Sequence, residues 1–206
     1  MPNRAPELVW EEEVSDGSLT RAAIVLTAMQ IADAEGLDAV SIRRVAAGLG
    51  VRPMSLYTHI ASKEDLIALM LNEAVAGVLL PEPLPEDWRE ALRAIAHRSY
   101  HEFLAHPWAL EALGRASRIG PNLHRHGEQS EAAVAPLALV PDDTWHVLRL
   151  VDAYTIGQAM TAASLERARE VHSEFVADVP DLPDAFEVGL ETVLDGVERR
   201  FGARGS

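Results

Sequence analysis

The chain has 206 residues, 48% of them hydrophobic, enough for one large or two modest domains with a sizeable core. It contains no cysteine, which excludes disulfides and thiolate chemistry and fits a reducing compartment. Its formal charge of −14 at pH 7 discourages misplaced binding of a polyanion, so such a partner must be met by a local basic patch. No run approaches the roughly eighteen apolar residues that span a bilayer, and MPNRAPELVWEEE places acid where a signal peptide needs base. The chain therefore reads as soluble, without membrane attachment, and cytoplasmic.

Residues 1–17 hold two prolines, four glutamates and no sustained helical period, which predicts a mobile arm with Trp10 as its one large aromatic residue. Thr20 is placed to cap a first helix, stapled by Leu19 and Ile24, whose apolar face runs through Ala28, Ile31 and Ala32 to a stop at Gly36.

The next stretch, Ser41 to Lys63, carries Arg43, Arg44, Arg52 and Lys63 and not one Asp or Glu. A basic island on an acidic chain is what binding the nucleic-acid backbone at one face requires, because phosphate contacts dominate affinity. Ser41 predicts a helix that ends at Gly48, with Val40 and Val45 as its staple. Gly50 allows a tight turn, Arg52 is the next N-cap, and Pro53 suits the first helical position because its missing N–H has no partner there. Ser62 and Asp65 predict a capping box for a helix opening at Lys63 and burying Leu66, Leu69 and Met70. Two short helices around a glycine turn form a helix-turn-helix, whose second member lies in the major groove. With Leu56 and Ile60 inward, Met54, Ser55 and Thr58 face out and Tyr57 and His59 flank them.

At these residues the chain resembles the TetR family of bacterial transcription regulators. The match runs from about Leu19 to about Val75 and is most specific at LGV, SLYTHI and SKEDL. The resemblance implies that Arg43, Pro53, Met54, Ser55 and Thr58 sit near base edges, while Ser41, Tyr57, His59 and Lys63 hold the backbone; Arg44 belongs to the same basic island. Lys63 is the only lysine in the chain. Where many relatives carry a larger polar or aromatic residue, this chain has Thr58. The recognition helix thus offers no Arg, Asn or Gln for bidentate pairing, so Met54, Thr58 and Arg43 are expected to carry the reading.

The fourth helix runs to about Leu79, and PEPLPED then marks a boundary. This predicts a DNA-binding domain with its connecting helix over 18–80 and a second helical domain over 81–206. Five helical segments and no alternating strand follow: Trp88 to Ala105, a short helix from Trp108 to about Ser117, one from Gly120-Pro121 to about Ala138, a long one from Asp142 to Val171, and a last one from Pro183 to about Arg200. SEFVADVPDLP reads as a loop between the last two. The fold class is therefore all-α, with a three-helix N-terminal head joined by a fourth helix to a larger ligand-binding and dimerisation domain.

The last two helices combine apolar stripes with small residues, Gly157, Ala159 and Ala163 on one and Gly189 and Gly196 on the other. Either they pair within one core or they build a four-helix interface between two subunits, as relatives do. A homodimer is expected because one short helix reads too few bases; the interface residues named by the pattern are Val151, Ala162, Phe186, Leu190, Val193 and Val197. Tyr100, His101, Leu104, Trp108, Tyr154, Thr155, Gln158 and Met160 combine apolar bulk with scattered polar groups, as small-molecule pockets do. Family resemblance gives them an effector to bind. His97 and His101 lie four apart and His124 and His126 two apart, but neither pair has a third ligand of obvious spacing, so no metal or cofactor is assigned. No G-x-S-x-G, phosphate loop or dinucleotide fingerprint is present, so no enzyme is expected.

The function expected is a DNA-binding regulator, a repressor released from a palindromic operator by a small apolar or amphipathic ligand. Two alternatives stay open: a constitutive dimeric DNA binder without effector, and a helical metal-binding protein.

Overall fold

In the computed structural model the described residues are 19–115, 118–171 and 184–202, and every regular element among them is helical. The expected arm over residues 1–17, with Trp10, and the expected loop SEFVADVPDLP lie outside them. The architecture is all-α in two parts, a helix-turn-helix head and a larger helical domain.

The first compact unit comprises residues up to Gly77 together with Ala105–His124. It holds α1 (Arg21–Glu35), a 3-10 turn (Leu37–Ala39), α2 (Ile42–Gly48), α3 (Pro53–Leu56), α4 (Lys63–Val78, but for its last residue) and α6 (Trp108–Arg115). The caps are those the sequence names. Thr20 Oγ1 accepts the Ala23 N–H at 3.1 Å, and Ser41 Oγ accepts that of Arg44 at 3.3 Å. Ser62 Oγ accepts the Asp65 N–H at 3.0 Å, while the Asp65 carboxylate, itself buried, meets Arg118 at 3.0 Å. Ile24, Ala28, Leu37, Val40, Val45, Leu56, Leu66 and Met70 are the buried core.

Residues 105–124, which the linear order puts within the expected second domain over 81–206, cluster by contact with the first unit. Trp108 is buried, and its indole N–H donates to Asp33 at 2.6 Å, where His106 Nδ1 also lies 2.7 Å away. Arg115 pairs with Asp38 at 2.8 Å and holds that carboxyl below its ordinary value. Asn122 donates two hydrogen bonds of 2.9 Å to Asn72, from its backbone N–H to the side-chain oxygen and from its side-chain amide to the backbone carbonyl.

The second unit comprises Val78–Leu104 and the chain from Arg125 on. Its elements are α5 (Trp88–Ala105), α7 (Pro121–Val134) from Arg125, a 3-10 turn (Ala135–Leu137), α8 (Pro141–Val171) and α9 (Ala185–Phe201). One core joins Leu92, Ile95 and Ala96 of α5, Val134 of α7, Val147 and Val151 of α8, and Phe186, Leu190, Leu194, Val197 and Phe201 of α9. Gln129 pins the loop after α4 by accepting from the Leu80 N–H at 3.0 Å and donating to the Leu80 carbonyl at 2.9 Å. Gly189 is required by close approach: a Cβ there would collide with the Tyr154 ring and hydroxyl.

A row of ion pairs closes the α5–α9 seam. Arg89 reaches Glu191 at 2.6 Å, Glu198 at 2.9 Å and Asp195; Arg93 reaches Glu191 at 2.6 Å; and His97 lies 2.6 Å from Glu187. Hydrogen bonds from Arg93 and Arg89 depress the Glu191 carboxyl to about 2, and the same contacts hold both guanidinium groups above their ordinary range. Because Glu191 titrates lower in the folded chain than in the unfolded one, its contribution is complete above about pH 4.5 and is lost as pH falls toward about 2. In thermal melts, Glu191→Gln is expected to be less stable than wild type by about 1 kcal/mol at neutral pH, after discount for solvent screening, with the gap closing as pH falls through that window.

Candidate nucleic-acid interface

The head presents its island through a turn that leaves little freedom. α2 ends in bonds from Leu49 N–H to the Val45 carbonyl and from Val51 N–H to the Ala46 carbonyl. Gly50 sits between them at φ +68°, where a side chain would be strained. α3 then begins at Pro53 with Arg52 as N-cap, and the Ser55 N–H bonds the Arg52 carbonyl at 2.9 Å. The helix proper is one turn, extended by bonds from His59 and Ile60 to the Leu56 carbonyl. Leu56 and Ile60 are buried, and this fixes which side faces out.

Of the three residues expected to face out, Met54 and Thr58 do and Ser55 is half-buried, while Tyr57, expected at the flank, is open to solvent. Met54 is 73% exposed and Tyr57 48%; Pro53, Thr58, Arg52, Arg43, Arg44 and Ser41 are also exposed, and Ser55, His59 and Lys63 are half-buried. Arg44 forms an ion pair with Glu35 at the end of α1, so its charge is shared within the head while Arg43 projects from the same helix. Thr58 Oγ1 donates to the Ser55 carbonyl at 2.7 Å. Arg21, which the sequence reading did not single out, donates from Nε to the His59 carbonyl at 3.1 Å and so ties the end of the recognition segment to α1. Only the spacing of 38 residues hid it, since a lone Arg at a helix start carries no sequence signature.

An exposed short second helix, set over a buried pair within a basic island, is the geometry of a major-groove reader. Comparison with known proteins agrees. Residues 24–70 match the domain described as bacterial regulatory proteins, tetR family, and residues 80–180 match the tetracyclin repressor-like C-terminal domain. The HTH-type transcriptional repressor DrrR1 of Streptomyces coeruleorubidus is 31% identical over 95% of this chain and 85% of its own length. The chain belongs to the TetR family. It is a DNA-binding transcriptional regulator. It is also similar to the class C tetracycline repressor protein of Escherichia coli, 27% identical over 88% of this chain and 91% of that one. Apo ActR from Streptomyces coelicolor superposes with a TM-score of 0.74 at 26% identity, covering 92% of this chain and 100% of its own; a second ActR structure, in complex with (S)-DNPA, gives 0.70.

The eight residues expected to line an effector site are not all brought together. Tyr100 stacks on Phe186 with ring centroids 4.0 Å apart, Tyr154 lies 5.9 Å from the same ring, and His101 meets Tyr100 edge-on at 5.6 Å. Burial raises the Tyr154 phenol above its ordinary value, and its hydroxyl donates to the Ala185 and Phe186 carbonyls, both at 3.0 Å. Leu104 and Gln158 are half-buried, Met160 is 53% exposed, and Trp108 sits in the first unit on Asp33. Thr155 is buried, and its hydroxyl is the one buried side-chain oxygen among the described residues without a hydrogen-bond partner.

The expected dimerisation set needs correction. Val151, Phe186, Leu190 and Val197 lie inside the subunit's own core, so they bind α8 to α9 within one chain and have no surface to offer another. Ala162 and Val193 are half-buried. The apolar residues that do face outward are Trp145, Leu150 and Met160 on α8 and Val188, 65% exposed, on α9. Among the described residues no three His, Cys, Asp or Glu gather to hold a metal, and no helix is long and apolar enough to cross a membrane.

A buried hydroxyl without a partner forfeits its hydration for nothing in return. Thr155→Val, which keeps the shape and removes the oxygen, is expected to raise stability by about 1 kcal/mol in denaturant titrations.

Proposed function

We propose that this TetR-family regulator is a cytoplasmic homodimeric repressor that holds a partly palindromic operator and leaves it when a small apolar or amphipathic ligand binds. The observation that carries this is the recognition segment, with Met54, Tyr57 and Thr58 open to solvent above Leu56 and Ile60, set in the basic island of an acidic chain. Arg43, Pro53, Met54, Ser55 and Thr58 would meet base edges; Ser41, Arg44, Tyr57, His59 and Lys63 would meet phosphate. Lys63 opens α4, where a point charge joins the free N–H groups of a helix start.

A two-fold dimer doubles the sequence read. Its pairing face would be the outer side of α8 and α9, where Leu150, Gly157 and Met160 on α8 and Val188, Thr192 and Gly196 on α9 are all exposed. The ligand site would centre on Thr155, Tyr100 and Tyr154, whose unsatisfied hydroxyl and aromatic faces suit a mostly apolar guest with one hydrogen-bonding group. ActR, a relative of similar fold, is seen with a small molecule bound. Such a ligand shifts the balance only by its differential affinity for two states, the released one spacing the two heads wrongly for successive grooves. Regulation of this kind requires no catalysis.

In mobility-shift titrations against duplex selected from its own upstream region, Tyr57→Ala and Lys63→Ala are each expected to weaken binding about fivefold with folding intact. Lys63→Ala should also lower the salt slope by about one. Equal binding by both variants would overturn the assignment. In sedimentation, Val188→Arg is expected to convert the dimer to a monomer, and an unchanged dimer would place the pairing face elsewhere.

A further inference from the structure

The chemistry of the reading surface is more specific than its exposure. Thr58 has one hydroxyl hydrogen, and that hydrogen is committed to the Ser55 carbonyl at 2.7 Å, one turn back on the same segment. A threonine folded back in this way has its β-branch fixed by the rotamer, and because Thr58 is exposed with its one hydroxyl hydrogen already committed, the methyl group is what it has left to offer a partner. Beside it Met54, at 73% exposure the most open large apolar side chain among the described residues, adds a thioether and its methyl. A surface that leaves methionine in water and a threonine with its methyl to offer is matched by a partner carrying methyl groups at the same depth. In the major groove the only such group is the C5-methyl of thymine.

We infer that Met54 and Thr58 read thymine methyl groups in each operator half-site by apolar contact, with the Thr58 hydroxyl serving the protein and not the DNA. This rests on the regulator function proposed above and adds the chemical class of the bases recognised. Arg43, exposed on α2, is left as the polar reader at the edge of this apolar pair.

The test replaces single thymines by deoxyuridine, which removes the methyl and nothing else. Bound duplexes are first selected from a random pool with the full-length protein, and each thymine of the selected half-site is then substituted in turn. Loss of about fourfold in affinity is expected at one or more positions, the equivalent of one buried methyl group. Thr58→Val, which keeps the methyl and discards the hydroxyl, is expected to bind within twofold of wild type. Thr58→Ser, which does the reverse, should bind about fourfold more weakly and lose its sensitivity to uracil at one position. Met54→Ala should lose it at another. Uracil duplexes bound as tightly as thymine duplexes would overturn the inference, as would tight binding by Thr58→Ser with weak binding by Thr58→Val. Uracil sensitivity that persists in Met54→Ala/Thr58→Ser would assign the methyl contacts to other residues and overturn it equally. A pool that yields no bound sequence overturns the regulator function itself, and the inference with it.

Discussion

Four residues form α3, too few for a helix to hold itself in water, since nucleation outweighs a single turn of hydrogen bonds. Its orientation therefore depends on burial of Leu56 and Ile60 and on the bonds that fix its two ends. Arg52 and Pro53 start it without a side-chain cap; His59 and Ile60 close it on the Leu56 carbonyl, and Arg21 holds the His59 carbonyl from α1. Everything outward on the segment inherits its direction from that buried pair. A loosened Leu56 would scatter Met54, Tyr57 and Thr58 together, whatever their own chemistry.

Charge is sorted around the same element. The chain is acidic as a whole, yet three of the head's acids are matched by groups outside the reading segment. Asp33 takes the Trp108 indole and His106, Asp38 takes Arg115, and Asp65 takes Arg118. Glu35 draws on a cation of the island, Arg44, and Asp38 also lies in the field of Lys63. Surface pairs of this sort add little stability one by one. Their consequence is electrostatic: Arg43, Arg52 and Lys63 keep a local field that the net charge of −14 would otherwise erase.

Much of the head was legible because its signals are local. Thr20, Ser41 and Ser62 each cap the residue three positions on, and Gly50 takes the left-handed turn assigned to it. Asp65 shows the limit of such reasoning, since its N–H obeys the capping rule while its carboxylate goes to Arg118, a partner that no spacing reveals. The second domain was legible in its helices but not in its surfaces. An apolar stripe at helical period is the same pattern whether it faces its own core or another subunit, so Val151, Phe186, Leu190 and Val197 were read as intersubunit contacts when they are core. The outward side chains, Met160 and Val188 among them, were separated from those only by geometry. Trp108 likewise looked like pocket lining in one dimension and is an anchor on Asp33 in three.

The central claim is that a pair of such heads reads successive major grooves of one duplex. Protection of guanine N7 from dimethyl sulfate tests it most directly, because N7 lies on the major-groove edge. The account predicts two symmetric clusters of protected guanines about ten base pairs apart on one face of the selected duplex. A single unsymmetric cluster, or binding that leaves every major-groove N7 open to methylation, would contradict it.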